Sequence, residues 1–339
     1  MAESRYIRHN IVRVKHELLP SVVDFYKSVC GMDYKVQSVS SDNYPYCKNG
    51  KLHILSYKPR DPSYTSTGVC FVEEENFTAT NYQHAGYWKI GLVLQDVDSA
   101  VQCLSKHVPV STANQFVDVG YLTALQDPHS YNIELLQDTF QVNFKEMDGE
   151  KIGPLNQPYI PSLGQITIRC RNAEETCNFY TKVLGMKLVC TQVPGNRYPF
   201  TLYFFAYTTE KPPNEDVSAV ENREWLYQKS FCQIEVQHRH NLPPKFNYKT
   251  HNREGSIKLG HVGISVHVSQ EQIREIIAMD NDIIYVNETQ NVVQLCDPDG
   301  YLIELSCHST NYYHIILHIT TLSALFWPAL IWTFGQKCP

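Results

Sequence analysis

Residues 166–186, ITIRCRNAEETCNFYTKVLGM, decide the architecture, because a closely similar string stands earlier, at 10–32, as NIVRVKHELLPSVVDFYKSVCGM. Each copy opens on apolar residues alternating around an arginine, Arg169 or Arg13, which is a strand pattern. Each continues into a stretch with an apolar face at helical spacing: Thr176, Phe179, Tyr180 and Val183 in one, Val22, Phe25, Tyr26 and Val29 in the other. These faces read as core, with no chemistry implied. Both copies end at Gly-Met, with Gly185 and Gly31 where a helix C-terminus takes a left-handed residue.

A second pair of strings repeats farther on. YWKIGLVLQDVDSAVQCL (87–104) and DPHSYNIELL (127–136) return as LGHVGISVHVSQEQIREII (259–277) and DPDGYLIELS (297–306). Asp-Pro-Asp-Gly is a turn by its chemistry, and the alternation after it puts Glu304 on the face of Leu302, opposite Tyr301 and Ile303. A carboxylate in mid-strand has to be solvated, paired or bound to a metal. Further strands are predicted at LHILSY, TLYFFAY, SFCQIEV and VVQLC. The repeats predict an α+β chain of four βαβββ modules in two pairs, 1–144 and 163–308, joined by a polar linker at 145–162 that holds three prolines.

The 339 residues suffice for two ordinary domains. A formal charge of -6 offers no basic field for nucleic acid, so a small molecule is the expected partner. Eleven cysteines without a CxxC pair, behind an N-terminus that lacks an apolar signal core, read as buried thiols in a reducing, cytoplasmic setting. The segment 309–339 departs from the rest. No Asp, Glu, Lys or Arg occurs from Leu305 to Gln336, and residues 312–334 are long enough to cross a bilayer, although His314, His318 and Pro328 weaken that reading. A membrane anchor, a segment packed on the domain and a divergent terminus all remain open.

Paired modules ending in DPDGYxIEL resemble the vicinal oxygen chelate superfamily, and 163–308 resembles its glyoxalase I branch over about 145 residues, including the long connection with Trp225 before SFCQIEV. The resemblance implies two glyoxalase-like domains and a divalent metal, zinc or nickel, held by Gln165, Glu235, His261 and Glu304. Three oxygen donors with one imidazole suit an open, near-octahedral ion rather than closed structural zinc. The implied reaction is metal-dependent isomerisation of the hemithioacetal of methylglyoxal and glutathione to lactoylglutathione. Glu304 would be the base, Glu235 a second proton shuttle, and Arg169 the partner of a glutathione carboxylate.

The corresponding positions of the first half are His9, Glu73 or Glu74, Lys89 and Glu134, so a lysine stands where the metal-binding histidine is expected and that half reads as degenerate. Basic residues that would hold the glycyl carboxylate are replaced by Ile257 with Lys258 and by Gln290 with Asn291, leaving Lys249, Arg253 or Lys258 as substitutes. Two module pairings are open. If each half closes on itself, or two chains exchange modules in a homodimer, Gln165, Glu235, His261 and Glu304 stay together, which is the grouping we expect. If the first module pairs with the fourth within the chain, His9 and Glu73 join His261 and Glu304. That mixed cleft could serve an iron-dependent dioxygenase through His9, His261 and Glu304. A non-catalytic binding module is the third reading, supported by Lys89.

Overall fold

The computed structural model of the chain describes residues 5–41, 44–75, 86–147, 149–195, 197–243, 248, 260–279, 283–287 and 292–307. The apolar tail at 309–339 and the substitute cations Lys249, Arg253 and Lys258 lie outside them, as do Ile257, Gln290 and Asn291. Among the described residues no helix is long and apolar enough to cross a membrane.

Four modules follow one another as the repeats predict. The first holds β1 (Tyr6–Val14), α1 (Leu19–Asp24), β2 (Asp33–Ser38), β3 (Lys51–Ser56) and β4 (Gly68–Glu73). The second holds β5 (Tyr87–Leu94), α2 (Val97–Leu104), β6 (Asn114–Phe116), β7 (Gly120–Gln126) and β8 (Asn132–Gln137). The third holds β9 (Ser162–Cys170), α3 (Ala173–Asn178), β10 (Lys187–Gln192), β11 (Phe200–Ala206), the inserted α4 (Glu221–Tyr227) and β12 (Gln233–Arg239). The fourth holds β13 (His261–His267), α5 (Gln270–Ala278), β14 (Ile283–Asn287), β15 (Val292–Cys296) and β16 (Leu302–Ser306). The Phe-Tyr repeat marks a shared irregularity: α1 and α3 both run into a π turn, at Phe25–Val29 and Phe179–Val183.

The modules combine in the order that we did not favour. An outer sheet joins the first and fourth modules, β14-β15-β16-β13-β1-β4-β3-β2, and an inner sheet joins the second and third, β10-β11-β12-β9-β5-β8-β7-β6. Residues 1–144 and 163–308 are therefore not the units that the sheets define. Each half contributes one module to each sheet, and the pairing is made within one chain. The seams are antiparallel, β1 with β13 and β5 with β9.

The tyrosines that recur between the modules tie the two sheets together. Tyr26 donates to Asp127 at 3.1 Å and Tyr180 to Asp297 at 3.2 Å, linking each Phe-Tyr helix to the Asp-Pro turn of the other sheet. Tyr131 and Tyr301 donate to the backbone oxygens of Arg13 and Arg169 at 2.6 and 2.8 Å. The expected linker is part of this body rather than a spacer. Gln157 is buried and its amide bonds the backbone of Gln95, Asp96 and Leu155, because the segment connects two modules of one sheet and has to lie against it.

Burial raises the Asp127 and Asp297 carboxyls to about 7, even though each accepts two backbone N–H bonds and one tyrosine hydroxyl; the charge of Asp299 adds to the shift at Asp297. Between the ordinary aspartate value and this raised one, the native state keeps a proton that the unfolded chain has released, so stability falls as pH rises through that window. Urea unfolding should accordingly show the wild type losing stability relative to the double variant Asp127→Asn/Asp297→Asn between about pH 4 and about pH 7. A constant difference across that range would show that neither carboxyl is shifted.

Candidate functional site

The two concave faces differ in what fills them. In the outer sheet, Tyr44, Tyr46 and Cys47, from the segment between β2 and β3, pack onto Ile11, Ile54, Cys70, Val72, Val262 and Leu302, and that face is a core. The inner sheet instead holds a cavity of about 340 Å³. Gln165, Lys89, Glu134 and Glu235 lie on one side of it, with Trp88, Phe116, Tyr198, Phe200 and Tyr227 among its walls.

The strand register explains this cluster. Gln165 on β9 sits opposite Gly91 on β5 and Gln233 on β12, while Gly91 sits opposite Glu134 on β8. A Cβ on Gly91 would lie 2.3 Å from Gln165 Cγ, so only glycine lets the glutamine cross the seam. Gln165 Nε2 then donates to Glu134 at 2.8 Å and to Glu235 at 3.0 Å. Thr167 donates to Glu235 at 2.5 Å. Lys89 Nζ donates to Glu134 at 2.5 Å and lies 3.9 Å from Glu235 and 4.4 Å from the centre of the Trp88 ring. Arg169 shares this end of the sheet, with its guanidinium carbon 4.7 Å from the Trp88 ring and Nε donating to Gln237 at 3.1 Å.

Burial raises the Glu235 carboxyl, and the charge of Glu134 adds to this while Lys89 and the Thr167 hydroxyl oppose it. Burial would push Lys89 toward its neutral form, but Glu134 and Glu235 outweigh it and hold the ammonium above its ordinary value. α4 closes the floor: Tyr227 donates to the Val119 backbone at 3.1 Å and Arg223 pairs with Asp118 at 2.7 Å, which clamps the β6–β7 turn.

The expected set of Gln165, Glu235, His261 and Glu304 is divided between the sheets. Glu304 faces the outer sheet's concave side, where Tyr46 donates to it at 2.7 Å, Gln294 at 3.1 Å and Ser265 at 3.2 Å. Burial raises its carboxyl, and the Tyr46 and Gln294 hydrogen bonds oppose the shift. His261 turns to the interface between the sheets, stacked on Tyr87 with ring centroids 4.4 Å apart and its Nε2 3.0 Å from Asn10 Oδ1. The cause is register. Gly91 pairs with Glu134, but Gly263 pairs with Leu302 and Ser265 with Glu304, so Gly263 takes the place of Lys89 and His261 that of Tyr87. A bulge in β13 beside Ile11 and Val12 reverses the side.

His9 does correspond to Gln165, opposite Ser265 and Gly68, and burial with the charges of Arg8 and Lys35 holds its imidazole well below its ordinary value. Glu73 does not correspond to Glu235. Cys70 stands opposite Ile11 as Glu235 stands opposite Thr167, and Glu73 instead contacts His16, His53 and Asn49. Glu74 pairs with Arg13 at 3.3 Å. The trio His9, His261 and Glu304 that a dioxygenase would need is thus not assembled as one ligand face.

A divalent ion is the group that the resemblance implies. In favour of it, Gln165 Oε1 is buried without a hydrogen-bond partner among the described residues, beside two carboxylates. Against it, a protonated Lys89 stands among the same donors and repels a cation at short range. With Lys89 in place the donors do not fit a divalent ion. Among the described residues no group of three His, Cys, Asp or Glu side chains is arranged to hold a metal.

This combination of paired modules and two curled sheets resembles the two-domain fold of glyoxalase I. Residues 162–216 match the family described as Glyoxalase/Bleomycin resistance protein/Dioxygenase superfamily. Glyoxalase I of Saccharomyces cerevisiae is 31% identical over 149 residues, which is 42% of this chain and 41% of that protein, so the match spans less than half of either. Glyoxalase I from Zea mays superposes with a TM-score of 0.61 over 93% of this chain and 96% of its own, at 17% identity. A putative dioxygenase from Bacillus subtilis does so with a TM-score of 0.56 over 93% and 89%, at 15% identity. Replacing Gly91 with Ala should displace Gln165 and cost about 1–3 kcal/mol of unfolding free energy, as overpacking does; an unchanged denaturation midpoint would show that Gln165 does not cross there.

Proposed function

We propose that the chain is a glyoxalase-type isomerase whose reaction runs in the inner-sheet cavity. The observation that carries this reading is that an amide, two carboxylates and an ammonium from the second and third modules converge on one side of a cavity with aromatic walls. The substrate class is an α-hydroxycarbonyl compound, specifically the hemithioacetal of methylglyoxal and glutathione, and the product is lactoylglutathione. The similarity to yeast glyoxalase I supports that choice.

The residues present suffice for the proton movements. Glu235 removes the proton from the carbon bearing the hydroxyl and sulfur, and that electron pair forms the new carbon–carbon double bond as the neighbouring carbonyl pair moves onto oxygen. Lys89 donates to that oxygen as its charge develops. Protonated Glu235 returns the proton to the neighbouring carbon. The original hydroxyl loses its proton as its oxygen becomes the thioester carbonyl, and the enediolate oxygen gains one, so the product is an isomer of the substrate and needs no oxidant. Arg169, beside Trp88, suits a carboxylate of the thiol.

Thioester formation from methylglyoxal and glutathione, followed by its ultraviolet absorbance, tests the assignment. Glu235→Gln should lower turnover by about 10²- to 10⁴-fold, the usual contribution of a general base. Glu304→Gln, on the other sheet, should leave turnover unchanged wherever the variant is folded. The opposite pattern would move the chemistry to the outer sheet. A non-catalytic binding module is the second reading, favoured by Lys89, and a folded wild type that binds the hemithioacetal without converting it would establish it.

A further inference from the structure

Lys89 lies where the inner sheet's donors converge. Its Nζ reaches Glu134, stands 3.9 Å from Glu235 and packs over Trp88, while Gln165 spends both amide hydrogens on the same two carboxylates. That network fixes the amide orientation and leaves Gln165 Oε1, in a residue only 2% exposed, as an acceptor with no partner among the described residues. A buried acceptor left open beside a cavity needs a donor from outside the chain.

We propose that the Lys89 ammonium replaces a divalent ion as the fixed cation of this cavity, making the site independent of metal and selective for ligands with adjacent carbonyl and hydroxyl oxygens. The carbonyl oxygen accepts from Lys89 Nζ and the neighbouring hydroxyl donates to Gln165 Oε1. One bound ion would take both oxygens as ligands; here two side chains of opposite hydrogen-bonding sense divide them, so a vicinal diketone, which has no hydroxyl to donate, fits less well than an α-hydroxyketone. This inference rests on the proposed location of the site, but not on turnover there.

The test is metal titration by calorimetry of the full-length protein, with zinc or nickel as the probe, for the wild type, Lys89→His and Lys89→Met. The wild type should bind no ion that depends on Glu235, as judged by the same titration of Glu235→Gln. Lys89→His, which supplies an imidazole beside Gln165, Glu134 and Glu235, should gain one ion per chain, and Lys89→Met should gain none. Hydroxyacetone should protect the wild type in thermal unfolding more than butane-2,3-dione does, and Lys89→Met should lower the protection by both, since each offers its carbonyl oxygen to Lys89. One ion per wild-type chain that disappears in Glu235→Gln would overturn the proposal, even if Lys89→His fails to fold. Equal protection by the two carbonyl compounds would overturn its selectivity. Absence of isomerase turnover alongside the expected titrations would count against the proposed reaction while leaving the lysine's role intact.

Discussion

The antiparallel seam between β5 and β9 is the constraint on which the site depends. It brings Gln165 across Gly91 and so into contact with Glu134, from one module, and Glu235, from another. Neither module alone contains the cluster. Shifting this seam by one residue would turn Lys89 and Glu134 to the face opposite Gln165 and Glu235.

The same cluster carries an energetic tension that fits a binding site better than a structural one. Two buried carboxylates repel each other, and Lys89 with the Gln165 amide offsets that repulsion. Removing one partner from such a buried set costs about 3–5 kcal/mol, because the remaining charge loses its compensation. The outer sheet meets the equivalent problem differently. Glu304 is satisfied by a phenol, an amide and a hydroxyl, and the face around it is filled with apolar side chains. One concave face has become core while the other has kept a cavity.

The sequence made the modules legible and left their pairing ambiguous, for a physical reason. Alternation along ITIRC and YLIEL, the Phe-Tyr helices and the Asp-Pro turns all report local structure, and all four modules fold as they indicate. All modules present similar strand edges, so hydrophobic pattern alone does not distinguish which edges meet. Lys89, Glu134 and Gln165 were each visible as members of corresponding positions, but their meeting in one cavity was not. The displacement of His261 was hidden further, since matching GHVGI to WKIGL letter by letter ignores the bulge and the register of β13 on β16. Of the cavity walls, Trp88 stood beside Lys89 in the repeat, whereas Phe116 and Tyr198 come from hairpin ends that carry no repeated signal.

The most direct measurement is a pair of double-mutant cycles on unfolding free energy, one between Lys89 and Glu235 and one between Glu235 and His261. The module pairing described here requires a coupling of about 0.5–3 kcal/mol for the first pair and a coupling near zero for the second. A near-zero value for Lys89 with Glu235, together with clear coupling of Glu235 to His261, would contradict it and return the site to the four residues of the chain's second half.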